Sequence, residues 1–222
     1  MTMSTSGAIG RRVAVVAASL LAAVSIAVST GSQARAMALW GKAHFAMPGP
    51  EVFPRYVEMI QRYVTQYQGL TSACTTHQSA FCTYVGRWAE LIRDAETRQG
   101  LDRIERVNSF FNSFDYVPDP VNWNQIDYWA TPLQFFDVDG DCEDYAIAKY
   151  YTLRGLGFDV GDLRIVIVMD ENLGIHHAVL AVSFGGDILI LDNQVSGVVS
   201  ASRIGHYTPI LSLNEAGAWR HH

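Results

Sequence analysis

Residues 138–151 read Val-Asp-Gly-Asp-Cys-Glu-Asp-Tyr-Ala-Ile-Ala-Lys-Tyr-Tyr, and they place one cysteine, Cys142, among four carboxylates. Gly140 lies just before the cysteine, and a helix-forming apolar run follows it. This order predicts a helix whose first turn directs unpaired backbone N–H groups at the thiol. Because a helix N-terminus stabilises a thiolate, the pattern indicates a nucleophilic cysteine.

The four carboxylates next to Cys142 oppose a second negative charge on its sulfur. They belong to Asp139, Asp141, Glu143 and Asp144. A cation bound by some of these acids would relieve the repulsion, and oxygen ligands suit calcium better than zinc. The acids therefore predict a calcium site beside the cysteine.

The alternating acids Asp137, Asp139 and Asp141 also match the first half of an EF-hand loop. In that interpretation Cys142 would replace the loop glycine, and Ala148 would replace the closing glutamate. An EF-hand is therefore excluded.

A candidate base and a candidate orienting acid follow Cys142 in the chain. His176 and His177 begin a predicted strand, and His177 is favoured because strand alternation turns His176 to the other side. Asp192 ends the partner strand of a hairpin, where a carboxylate would hold an imidazole in one tautomer. The alternatives are a surface or core histidine and an aspartate that only begins a turn. Together the residues suggest a Cys142–His177–Asp192 triad.

Apolar residues at helical spacing predict three helices in the first half of the domain. They cover about residues 56–67, 84–92 and 101–114, and Gly69 is expected to end the first. Residues 115–136 are rich in aromatic residues and proline, and they predict a loop. This loop either lines a substrate groove or packs as an Ω-loop.

The second half of the chain has the pattern of β-strands. Strands are predicted at 163–169, 177–182 and 188–191, with a further one at 208–211. Gly185-Gly186-Asp187 predicts a hairpin turn between the second and third strands. Helices followed by an antiparallel sheet define an α+β fold, with the candidate nucleophile at the start of a helix packed on that sheet.

The first 36 residues have the pattern of a secretory signal peptide. Arg11-Arg12 precedes an apolar run at 13–28, and Ala34-Arg35-Ala36 resembles a cleavage site. An uncleaved anchor is the alternative, but the run is shorter than the roughly 20 residues that span a bilayer. We expect a signal peptide at 1–36, one domain at 37–222, and export to the periplasm.

The formal net charge is −6. Cleavage would also remove three arginines and no acid, leaving the mature chain more acidic. This charge argues against nucleic acid and anionic membrane surfaces as partners.

Three cysteines are present, and Cys74 and Cys82 lie close enough in sequence to close a loop. In an oxidising compartment they are expected to form a disulfide, with two reduced cysteines as the alternative. Cys142 is then the odd thiol, which indicates a chemical role.

Four segments carry a resemblance to a known family: residues 127–132, 140–149, 177–180 and 191–193. They resemble the bacterial transglutaminase-like cysteine proteinases, the family of LapG-type periplasmic proteases. The resemblance implies a papain-like or transglutaminase-like fold with Cys142 as nucleophile, His177 as base and Asp192 as orienting acid. It also implies calcium ligands at Asp141 and Glu143, with Asp139 and Asp144 as further candidates.

The same resemblance implies a calcium-dependent periplasmic cysteine endopeptidase. Its substrate would be a large repeat adhesin, cut near the N-terminal region, so that biofilm attachment is regulated. A membrane-bound cyclic di-GMP receptor would sequester it. The alternatives are a transglutaminase-like acyltransferase with the same triad and a non-catalytic calcium-responsive binding protein. The Cys142 N–H is one expected oxyanion donor, and Gln134 or Trp129 is a candidate for the second.

Overall fold

The computed structural model of the chain describes residues 37–76 and 80–222, and the side chains at 69–81 are outside that description. The predicted signal peptide at 1–36 therefore lies outside the described residues. Among the described residues, no helix is both long enough and apolar enough to cross a membrane.

The helices occupy the N-terminal half and confirm the predicted order. In the described ranges they are α1 (Pro54–Thr76), α2 (Ala80–Glu96), α3 (Leu101–Phe111), α4 (Asp119–Asn122), α5 (Pro132–Val138) and α6 (Cys142–Gly155). The expected stop at Gly69 is wrong, because α1 continues to Thr76. A glycine inside a helix costs only about 1 kcal/mol, which the packing of a long amphipathic helix offsets.

Helix α5 lies in a segment whose sequence predicted a loop. Thr131 caps it: its hydroxyl accepts the Gln134 N–H at 3.1 Å, and the Gln134 side chain accepts the Thr131 N–H at 3.0 Å. Pro132 fills the first helical position. This capping box and N-terminal proline define a seven-residue helix that is too short for hydrophobic periodicity to predict.

The strands of the described residues form one antiparallel sheet with the order β1-β7-β6-β2-β3-β4-β5. They are β1 (His44–Ala46), β2 (Leu163–Asp170), β3 (Ile175–Phe184), β4 (Asp187–Leu191), β5 (Val199–Ser200), β6 (Tyr207–Asn214) and β7 (Gly217–His221). The β3–β4 turn falls on Gly185 and Gly186, whose φ angles of 62° and 85° suit a tight hairpin.

Both faces of the sheet are covered. The helices pack on one face in the main core, which includes Trp88, Phe111 and Leu180. The N-terminal segment around Leu39 covers the other face, where Val179 and Tyr207 are buried. Helix α6 is buried along 144–153 and packs against β3, which places its first residue beside that strand. The predicted α+β architecture is confirmed.

Candidate active site

The start of helix α6 is fixed by Asp144, which is almost fully buried. Its Oδ1 accepts the Ala130 N–H at 2.7 Å, and its Oδ2 accepts the Asp141 N–H at 3.3 Å. Gly140 permits this arrangement, because a Cβ there would lie 2.5 Å from Asp144 Oδ2. Asp144 therefore ties the first turn of α6 to the preceding loop.

Cys142 is the first residue of α6, partly exposed, with a free thiol. Its Sγ lies 3.1 Å from Glu143 Oε2 and donates to that carboxylate. Burial, followed by the charge of Glu143, raises the pKa of the Cys142 thiol far above its usual value, and the backbone N–H of Ala178 opposes this rise. The protein alone therefore keeps the thiol protonated.

Ala178 follows His177 directly on β3, so its hydrogen bond brings Cys142 next to the predicted base. His177 is buried, and its Nε2 lies 2.9 Å from Asp192 Oδ1. The other ring nitrogen, Nδ1, lies 3.4 Å from the side-chain nitrogen of Gln194. The structure therefore brings the three predicted triad residues into one region, with Asp192 at the Nε2 atom of the imidazole ring.

Asp192 is a well-satisfied buried carboxylate. Its Oδ1 also accepts the Gln194 N–H at 2.9 Å, and its Oδ2 accepts the Tyr207 hydroxyl at 2.7 Å. Burial alone would raise the pKa of Asp192, but the hydrogen bonds from His177, Gln194 and Tyr207 lower it overall. The carboxylate is therefore held in its ionised form.

Several acidic side chains lie close together near Cys142, apart from the His177–Asp192 pair. Asp119 begins α4 and Asp127 lies in the loop between α4 and α5, and sequence analysis did not predict either of them at the site. Carboxylate oxygens of Asp119, Asp127 and Glu143 lie within 4.8 Å of one another, as do those of Asp119, Asp141 and Asp144. A signal was present in the sequence, since Asp127 begins the first family segment, but spacing alone could not bring a residue 15 positions away to Cys142.

The acidic group is short of hydrogen-bond donors. The Oδ1 atoms of Asp119, Asp127 and Asp141 are buried, and none has a partner among the residues that the structure describes. Burial raises the pKa of Asp119 to about 6. Burial, together with the charge of Asp141, raises the pKa of Glu143 to about 8. The folded chain therefore concentrates negative charge without supplying enough positive charge to balance it.

These carboxylates fit a calcium ion. Calcium binds oxygen ligands at roughly 2.3–2.6 Å, so two ligands of one ion lie up to about 5 Å apart. Asp119, Asp141 and Glu143 meet this spacing pairwise across the converging groups, and the unpartnered Oδ1 atoms of Asp119 and Asp141 are ones that an ion would satisfy. We define these three residues, together with Asp127, as the acidic cluster.

The other two predicted ligands lie differently. Asp144 uses both carboxylate oxygens for backbone N–H groups, so it supports the site more than it offers a free ligand atom. Asp139 is outside the groups of acids that converge in the described residues. Asp139 directly follows the last residue of α5 and has a φ of 60°. The neighbouring charge that acts on its carboxylate is that of Asp115.

Both candidates for the second oxyanion donor make contacts away from Cys142. The Gln134 side chain accepts in the Thr131 capping box, and its nitrogen donates to the Tyr128 hydroxyl at 2.8 Å. Trp129 is buried in the helical core with its ring against Tyr56. Both residues build the loop and helix that precede the site.

Cys82 is disulfide-bonded, whereas Cys142 is free. The side chain of Cys74 lies outside the described residues. The predicted Cys74–Cys82 pairing therefore stays a prediction.

Comparisons with known proteins bear on the family and the fold of the chain. A family model described as bacterial transglutaminase-like cysteine proteinase matches residues 61–221. The structure of LapG from Legionella pneumophila is 33% identical in sequence, with a TM-score of 0.61, and the match covers 69% of this chain and 86% of that one. EGTA-treated and calcium-bound structures of that LapG match equally, over 84% and 86% of their chains. A search of curated protein sequences found no match. The chain thus belongs to the bacterial transglutaminase-like cysteine proteinases and has their fold.

Proposed function

We propose that this protein is a calcium-dependent cysteine endopeptidase with a Cys142–His177–Asp192 triad. The observation that carries the proposal is the free thiol of Cys142 at a helix N-terminus, beside the buried His177–Asp192 pair whose nitrogen and oxygen are 2.9 Å apart. Membership of a cysteine proteinase family supports the same chemistry.

In the proposed reaction, His177 takes the thiol proton of Cys142 through Nδ1, because Nε2 is engaged with Asp192. The sulfur attacks the carbonyl carbon of a peptide bond, and the carbonyl oxygen becomes an oxyanion. The backbone N–H of Cys142 is in the first turn of α6, where N–H groups lack helical acceptors, and it donates to that oxyanion.

His177 then gives the proton to the leaving amine, and the peptide C–N bond breaks to leave a thioester on Cys142. Water, deprotonated by His177, attacks the thioester and releases the acid and the free thiol. Asp192 stabilises the imidazolium in both steps, and its charge is maintained by the donors around it.

The acidic cluster would hold the calcium ion, with Asp119, Asp141 and Glu143 as ligands and Asp127 beside them. When bound, the ion would balance the carboxylate charges that now raise the pKa of the Cys142 thiol. The calcium-bound and EGTA-treated forms of Legionella LapG support this dependence.

A protein substrate suits the surroundings of the site. Exposed apolar side chains lie on both sides of it in sequence: Tyr116, whose backbone pairs with Gly140, and Ile175 and Val195 near His177 and Asp192. Such side chains favour the docking of an extended polypeptide. From the family resemblance we propose a large repeat adhesin, cut in its N-terminal region, as the substrate.

The proposed setting is the periplasm, reached through the signal peptide at 1–36. There the protease would release the adhesin and so regulate biofilm attachment. A membrane-bound receptor for cyclic di-GMP would control it by sequestration.

The test is incubation of the purified protein with the N-terminal fragment of a candidate adhesin, in calcium buffer or EGTA. We expect discrete cleavage in calcium, and none in EGTA or with the Cys142→Ala variant. Incorporation of a labelled amine into a glutamine donor without cleavage would instead identify an acyltransferase. If Cys142→Ala abolished cleavage but left the biological effect of the purified protein on attachment intact, catalysis by this thiol would be the wrong explanation, in favour of a calcium-responsive binding protein.

A further inference from the structure

Tyr207 is a buried residue at the first position of β6, two strands away from His177 in the sheet. Its hydroxyl donates to Asp192 Oδ2 at 2.7 Å, and the ring is only 5% exposed. The phenol of Tyr207 therefore bonds to the same carboxylate that accepts from His177.

The two carboxylate oxygens of Asp192 accept hydrogen bonds from different donors. Oδ1 accepts from His177 Nε2 and from the Gln194 N–H, both at 2.9 Å. Oδ2 accepts from Tyr207. Without the second anchor, the carboxylate plane would be held through one oxygen only, and rotation about its terminal torsion is soft. The hydroxyl of Tyr207 therefore fixes the direction of the lone pair that faces His177.

The ring of Tyr207 is itself held in place from behind. Trp40 meets it edge-on at 6.1 Å between centroids, and the Trp40 indole N–H donates to the Ile204 carbonyl at 2.9 Å. The imidazole of His177 lies 5.8 Å from the same ring, tilted by 55°. Tyr207 thus contacts both the base and its orienting acid through a side chain with little freedom to move.

We propose that Tyr207 is a positioning residue for the triad, and that it acts through Asp192 on the orientation of His177. The inference rests on the proposed function, since it assumes that His177 activates Cys142. The hydrogen bond goes to a charged acceptor, and bonds of this kind contribute more than those between neutral groups.

The test compares Tyr207→Phe with Tyr145→Phe, both in calcium buffer. Tyr145 is a matched control, because its hydroxyl also donates one hydrogen bond, at 2.8 Å, to the Phe114 carbonyl outside the triad. The first readout is the rate at which iodoacetamide alkylates Cys142 across pH, which needs no substrate. We expect Tyr207→Phe to lower the rate about tenfold near neutral pH and Tyr145→Phe to leave it unchanged.

The second readout is a double-mutant cycle with His177→Ala, or with His177→Gln if the alanine variant does not fold. If Tyr207 acts through the histidine, adding Tyr207→Phe to that background should change the alkylation rate by less than about twofold. A merely structural effect would persist there, and it would overturn the inference.

The outcomes also separate this inference from the proposed function. If alkylation depends on His177 but not on Tyr207, the positioning role is wrong and the triad stands. If alkylation of the wild-type protein does not depend on His177, the proposed catalytic mechanism itself fails.

Discussion

On the strand side of Cys142, Asp192 receives hydrogen bonds on both carboxylate oxygens, whereas on the loop side Asp119, Asp127 and Asp141 each keep one oxygen without a partner in the described structure. Both sides contain buried negative charge, but they differ in how that charge is stabilised. The strand side uses donors of the chain itself, whereas in the proposed function a calcium ion would complete the loop side. On that proposal, one half of the site is preorganised by the chain and the other half is regulated by the ion.

The largest effect is expected from Asp192→Asn, which should lower kcat/KM by at least about a thousandfold. The neutral amide lacks the negative charge that stabilises the imidazolium of His177, so the catalytic step is slowed. Calcium affinity should not change, because Asp192 is not part of the acidic cluster. Cleavage kinetics and calorimetry with calcium measure the two effects, with the exposed Asp187→Asn as the control.

An equal loss of calcium affinity in Asp192→Asn would contradict the separation of the two sides. It would mean that the ion and the His177–Asp192 pair form one coupled unit.

Lys149 is a candidate source of positive charge on the strand side of the site. Its ammonium is fully buried without a hydrogen-bond partner among the described residues, and Asp192 is the charge that attracts it. Burial lowers the pKa of Lys149 to about 7. Below that pH the folded protein bears the full cost of a buried charge.

We expect Lys149→Met to raise the free energy of unfolding by roughly 2–3 kcal/mol at pH 6. Between pH 7 and the ordinary lysine pKa of 10.5, the unfolded wild-type chain binds more protons than the folded one. The stability contributed by this group therefore rises with pH, and the advantage of the variant should shrink toward pH 10. Urea denaturation at both pH values measures this.

Lys42, the other lysine of the chain, is exposed and provides the control for Lys149. Lys42→Met should leave the free energy of unfolding at pH 6 nearly unchanged, because no buried charge is removed. A constant gain for Lys149→Met at both pH values would indicate better packing and not relief of a buried charge.

On the loop side, Asp141→Asn should weaken calcium binding by at least about a hundredfold, because a ligand atom is lost. Without calcium, the variant should be at least as stable as the wild type, since one unbalanced carboxylate is gone. Calorimetric titration and thermal denaturation in EGTA provide the two measurements.

The matched control is Asp139→Asn, which changes the same loop outside the acidic cluster. It should bind calcium nearly as the wild type does. If both variants lose affinity equally, Asp139 belongs to the site and the proposed ligand set is incomplete.

The smallest effect is expected from Arg55→Gln. Arg55 Nη1 lies 3.0 Å from Asp127 Oδ2, but the arginine side chain is 57% exposed, and exposed pairs contribute little. Stability should change by less than about 0.5 kcal/mol, and calcium affinity should rise slightly because a nearby positive charge is removed. Arg93→Gln, which removes a similarly exposed pair with Glu90, should leave calcium affinity unchanged.

Much of the site could be predicted from local sequence. Cys142 begins a helix because an aspartate cap and a glycine precede a helix-forming run, and these signals act within a few residues. The Gly185-Gly186 turn sets the β3–β4 register, so it also places Asp192 near the start of β3. Hydrophobic periodicity did not predict helix α5, because this short helix is defined by the capping box at Thr131 and not by an apolar repeat.

Residues brought in from distant elements could not be predicted in this way. The place of Asp119 in the acidic cluster depends on how the loop before α5 folds over the start of α6, where the Asp119 N–H meets Asp141 Oδ2 at 3.3 Å. Nothing in the spacing of Gln134 or Trp129 shows that the former is used in a cap and the latter in the core.

The sequence by itself therefore determined the position of the candidate nucleophile, the order of helices and strands, and the hairpin that carries His177 toward Asp192. Each of these depends on interactions between near neighbours in the chain. Only the tertiary structure decided which carboxylates converge without partners and which phenol anchors Asp192. Those contacts join α6 to a loop, and β6 to the end of β4, so they exist only once the helices have packed on the sheet.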